Sequence, residues 1–109
     1  MAIPQKKERR LSNRKKLTGL LPGRLTDKTG QDIACRPVDV SQHGLGIVAN
    51  SEYDAGDRFQ LVTKEHTVEL EVVWVQTDFG KKDLFRHGLA TIDQETDLEE
   101  LFLKSGCLI

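Results

Sequence analysis

Between His66 and Phe79 the sequence reads HTVELEVVWVQTDF, where Val68, Leu70, Val72 and Trp74 alternate with Glu69 and Glu71 on the opposite face. A period of two puts apolar side chains on one face of an extended chain and carboxylates on the other, the pattern of a half-buried strand. Such a strand needs partners, and the chain offers them. LTGLLPGRLT (17–26), QDIACRPVDV (31–40), LGIVA (45–49), RFQLVT (58–63) and LFRHGLATI (84–92) have strand length and composition. DKTG, SQHG, NSEYDAGD and GKKD separate them with residues that suit turn backbone angles. Six strands joined by short turns predict an all-β fold, a six-stranded antiparallel β-barrel. Closure removes edges that a chain of 109 residues could poorly cover.

The period changes near the end. In QETDLEELFLKSG, Leu98, Leu101 and Phe102 fall at i, i+3 and i+4, which predicts a short C-terminal α-helix with one apolar face. Thr96 and Glu99 have the spacing of a capping box, and Gly106 is the expected stop after Lys104. A helix this short is not stable alone, so it is expected to pack on the barrel.

Charge divides the chain unevenly. Residues 1–16 hold seven cations against the single acid Glu8, a sum of +6, which leaves −7 on the rest of a chain whose net charge is −1. We therefore read residues 1–16 as a flexible basic arm and 17–109 as one folded domain. The arm calls for an anionic partner, whether a membrane surface, a nucleic acid or a phosphate-bearing small molecule, or for docking on the acidic body. It lacks apolar residues at helical spacing, which disfavours the membrane, and it lacks aromatics, which disfavours stacking on single strands. The acidic body also argues against nucleic acid. No apolar run approaches the roughly 18–20 residues of a membrane span, and MAIPQKKERR has no apolar core of a secretory signal. A cytoplasmic location is the expectation. Cys35 and Cys107 lack metal-site spacing and are expected as reduced thiols, with no metal and no cofactor.

Residues 17–26 and 31–40 are arms of ten residues around DKTG. Paired as a hairpin, they would set Leu17 opposite Val40 and Arg14 opposite His43, with a one-residue shift if Pro22 and Gly23 form a bulge. The basic arm then returns beside DVSQHG (39–44). Two guanidiniums, a carboxylate, a hydroxyl and a glycine would meet there, and each has a counterpart on a guanine nucleotide. Arginine binds phosphate oxygens and guanine O6 and N7 in bidentate fashion, and it stacks on bases. The carboxylate accepts from the N–H donors of the Watson–Crick edge. Ser41 can donate to a phosphate or a base, and Gly44 permits a positive φ or a close ligand approach.

RLSNR (10–14) followed by DVSQHG resembles the two signatures of PilZ domains, RxxxR and (D/N)xSxxG, 25 residues apart from Arg14 to Asp39. The likeness spans about residues 8–104. It implies a six-stranded barrel with a C-terminal helix that binds the bacterial second messenger cyclic di-GMP. Carried over, Arg10 and Arg14 would grip phosphates and Hoogsteen edges, Asp39 and Ser41 would hold guanine, and Gly44 would shape the turn. Arg9 adds charge or stacking outside the motif, and His43 occupies a variable position of it. Trp74 is assigned to the core or the barrel surface, with lining of the ligand site as the alternative. No nucleophile–base pair, metal cluster or phosphate-cradling loop is present, so an enzyme is not expected. With that ligand, the arm's basic composition and its break from the strand pattern lead to the expectation of a receptor whose arm orders on binding and presents a changed surface to a protein partner. The alternative is a PilZ-like adaptor that does not depend on the nucleotide.

Overall fold

The structure, a computed structural model, describes residues 15–77 and 83–108, with Lys15 and Lys16 as backbone only. Seven strands and one helix occur in chain order among these residues. They are β1 (Lys15–Lys16), β2 (Arg24–Asp27), β3 (Cys35–Val40), β4 (Gly44–Ala49), β5 (Arg58–Val62), β6 (Thr67–Thr77), β7 (Phe85–Thr91) and α1 (Leu98–Lys104). All strands join one antiparallel sheet in the order β1-β3-β4-β7-β6-β5-β2. The expected architecture is adopted as a curled half-barrel, six antiparallel strands of four or more residues with one short C-terminal helix, to which the two-residue β1 adds a seventh strand.

Alternation decides which side is core. Val68, Leu70 and Val72 of β6, Phe59 and Leu61 of β5, and Leu45 and Ile47 of β4 are buried on the concave face. One end of that core is plugged by α1, whose Leu98 and Phe102 are fully buried. The outermost strands are also covered. Beyond β2 the chain turns back, so that Ile33 N–H donates to Leu25 C=O and Asp27 N–H to Gln31 C=O. Beyond β1, Leu17 bridges Leu108, and Thr18 N–H donates to Cys107 C=O at 3.0 Å. Unpaired backbone at a sheet edge invites aggregation, and both edges meet local chain here.

The equal-armed hairpin does not form. The DKTG turn does, with Asp27 accepting from the Thr29 and Gln31 amides. But β2 pairs with β5 across the sheet, Leu25 opposite Leu61, and it is Lys15 and Lys16, just before the first hairpin arm, that pair with β3. Pro22 has no N–H to give to a ladder, and residues 18–23 leave the sheet to cross from one edge to the other. Register differs as well. Val40 lies opposite Lys15 rather than Leu17, a shift of two residues. The segment just after the arm nevertheless lies against Asp39 and Val40.

Candidate functional site

The β3–β4 turn is held from three sides. Ser41 N–H donates to Gly44 C=O at 2.9 Å and closes the turn, leaving Gln42 and His43 at its tip. Gln42 C=O accepts from Leu98 N–H at 2.8 Å, one of the donors that the first turn of a helix leaves over. His43 C=O accepts from Thr91 N–H at 3.0 Å, and Thr91 Oγ1 lies 3.3 Å from His43 Nδ1. Both ring and carbonyl of His43 therefore face β7. Beside them the Asp93 carboxyl sits below the usual range, held there chiefly by the Thr96 hydroxyl, with the Glu95 and Thr96 amides and His43 adding to it. Of the two uses expected of Gly44, positive φ is not taken; the left-handed glycines among the described residues are Gly19, Gly30, Gly56 and Gly106.

Asp39 belongs to a row that crosses the convex face. Lys16 pairs with Asp39, Asp39 with Gly46, Gly46 with Gly88, and Gly88 with Trp74. The two central positions have no side chain, and their neighbours use the space. A Cβ on Gly46 would lie 2.6 Å from Asp39 Oδ1, so the carboxylate lies directly over that glycine. A Cβ on Gly88 would overlap the Trp74 ring atoms Nε1 and Cε2, so the indole lies over the second glycine. Both flanking strands carry a register shift at this level, between Pro37 and Asp39 on β3 and between Val72 and Trp74 on β6. A bulge inserts one residue and re-aims the side chains beyond it. The Val73 bulge turns Trp74 out of the Val68–Leu70–Val72 face, and the side chain is 42% exposed. Trp74 is thus on the outer surface, not in the core, and it shares a row with Asp39.

The structure brings Asp39, Ser41, His43 and Gly44 together on and beside one turn. Arg9, Arg10 and Arg14 lie outside the described residues. Sequence reasoning missed Gly46 and Gly88. Glycine inside a strand marks a close approach by another group, and LGI and HGL carried that signal. A concavity of about 280 Å³ between the β5–β6 turn and α1 is lined by Glu65, His66, Glu95, Asp97, Glu100 and Lys104. Lys104 is already paired with Glu100 at 3.0 Å, so the groove is net acidic and repels an anion.

The family model for the PilZ domain matches residues 8–104. This chain belongs to the PilZ domain family. No curated protein and no solved structure matches it. The matched span takes in RLSNR and ends at Lys104, the last residue of α1, so the PilZ pattern covers arm, sheet and helix together. PilZ domains are binding and adaptor domains rather than enzymes, the family is generally known for cyclic di-GMP reception, and it typically acts on protein effectors. Among the described residues of this PilZ domain no helix is long and apolar enough to cross a membrane.

Proposed function

We propose that this PilZ domain is a cyclic di-GMP receptor, binding through Arg10 and Arg14 of the arm and Asp39, Ser41 and Gly44 of the turn. One observation carries the reading. The strand that continues the arm pairs with Asp39 itself, Lys16 opposite Asp39, in the row that holds Gly46, Gly88 and Trp74. Arg14 immediately precedes Lys15 in the chain, and Lys15 pairs with Val40, the residue between Asp39 and Ser41. Arg10 lies four residues before Arg14, and four residues span at most about 14 Å of extended chain. Guanidiniums supply the bidentate donors for phosphate and for guanine O6 and N7, while Asp39 accepts from the Watson–Crick N–H groups. The indole over Gly88 offers a stacking surface in the same row.

Ordering of the arm on the ligand is the signal, and the backbone supports a route for it to the helix. The turn bonds Leu98 at the start of α1, and the segment after β1 bonds Cys107 just beyond its end. A protein effector would read the changed surface around that helix, in the cytoplasm.

Isothermal titration of the full chain with cyclic di-GMP tests the reading. Heat is expected, with Arg14→Ala and Asp39→Ala each weakening binding more than Lys16→Ala. Silence at about 100 μM ligand removes the ligand assignment, since that corresponds to an affinity too weak for a dedicated receptor. Equal small losses for Arg14→Ala and Lys16→Ala would leave only unspecific charge attraction.

A further inference from the structure

Four arginines lie among the described residues, and they divide into two kinds. Arg24 is paired with Asp32 at 2.7 Å and Arg58 with Glu71 at 3.6 Å. Arg36 and Arg86 have no acidic partner among the described residues, although the body beyond the arm carries −7. They also share a row. Arg36 pairs with Val48, and Val48 pairs with Arg86, so the two exposed arginines flank one valine on the convex face. Adjacent antiparallel strands are about 4.8 Å apart, which puts the two Cα atoms roughly 10 Å from each other. Two long, planar cations at that separation can close on a single phosphate, each with a fork of N–H donors.

Their row is the next one along the strands from Asp39–Gly46–Gly88–Trp74, about 7 Å away on the same face. Gly46 and Gly88, the centre of that neighbouring row, raise no side chain of their own, and the Asp39 carboxylate and the Trp74 indole lie over them. We propose that Arg36 and Arg86 form a phosphate clamp, holding a phosphodiester of the same nucleotide that the arm and the turn bind. This rests on the receptor reading and extends its footprint down the sheet. A cyclic dinucleotide suits such a face because it carries two phosphodiesters. One meets the arm arginines at the turn, and the other meets Arg36 and Arg86 beyond the glycines.

The test is titration of the full chain with cyclic di-GMP, comparing wild type with Arg36→Ala/Arg86→Ala and with Lys28→Ala/Lys64→Ala. The second double variant removes the same charge from two exposed turns. The clamp predicts a loss of about tenfold or more for the arginine variant, the scale of a lost charge-assisted contact, and less than about twofold for the lysine variant. Arg36→Lys/Arg86→Lys should recover part of the loss. Unchanged circular dichroism melts show that the fold is intact. Equal losses in the two alanine variants, or wild-type binding by the arginine variant, overturn the clamp and leave the receptor standing. A silent wild type overturns the receptor reading and the clamp with it.

Discussion

Gly46 has a carboxylate where any other residue would have its own side chain. An added Cβ would sit 2.6 Å from Asp39 Oδ1 and 3.2 Å from its Cγ, closer than such contacts allow. It would meet the far end of a side chain that can rotate, so the sheet survives and Asp39 turns away. Gly46→Ala should therefore melt within a few degrees of wild type, since no buried contact is lost. It should nevertheless bind cyclic di-GMP about tenfold or more weakly by titration, the scale of losing a hydrogen bond to a charged group. Wild-type affinity in this variant would mean that the position of Asp39 over the glycine is irrelevant to binding. The same residue scale explains Trp74. Its alternation with Glu69 and Glu71 reads as core, and one extra residue at Val73 reverses the side it faces.

At the scale of the element, α1 shows how local chemistry and context divide the work. Its N-cap is Asp97, whose side chain accepts from Glu100 N–H at 3.0 Å, and not Thr96 as the capping-box spacing predicts. Thr96 is engaged elsewhere, its amide and hydroxyl both donating to Asp93. Asp and Thr are both good caps, and the Asp93 turn decides between them by occupying the threonine. The other end meets expectation. Gly106 takes φ +74, Cys107 N–H donates to Phe102 C=O and Gly106 N–H to Leu103 C=O, which together make a Schellman motif. Asp97→Ala should cost about 1 kcal/mol and lower Tm by about 4–8 °C in a domain of this size. Thermal and urea melts check this, and no change would mean that the helix is held by its packing alone. Because Leu98 N–H bonds Gln42, the same cap steadies the β3–β4 turn.

For the whole molecule, one buried base sets a pH dependence. His87 is 0% exposed on the concave face of β7, and its Nε2 accepts from Tyr53 N–H at 3.0 Å. The neutral ring therefore carries its proton on Nδ1, which has no partner at hydrogen-bond geometry among the described residues. Burial pushes its pKa below the ordinary 6.5, against smaller opposing effects of the Phe85 backbone and Glu52. The unfolded chain takes up a proton near 6.5 that the folded chain refuses. Stability present above that value is therefore lost as the pH falls toward the folded pKa, by at most about 1.4 kcal/mol per pH unit. Urea melts from about pH 7 to about pH 5 should show this loss, and His87→Gln, which keeps an acceptor for Tyr53 but cannot titrate, should flatten it. Parallel curves for the two proteins would assign the dependence to other groups.

Neighbours along the chain decide one part of this protein, and that part is legible from residue order. The strand set, the closing helix, the DKTG and DVSQHG turns, the charge split and the PilZ signatures all come from periods of two and 3.6, from turn residues and from spacing. Which strands meet, and in what phase, is settled only when the chain packs. Packing gave β2 to β5 rather than to β3, set Lys15 rather than Leu17 opposite Val40, and turned Trp74 outward. It also aligned Asp39, Gly46, Gly88 and Trp74, and set Arg36 and Arg86 on either side of Val48. The reason is register. A bulge or a one-residue slip changes the face of every side chain beyond it, and only contacts between segments far apart in the chain select among such registers.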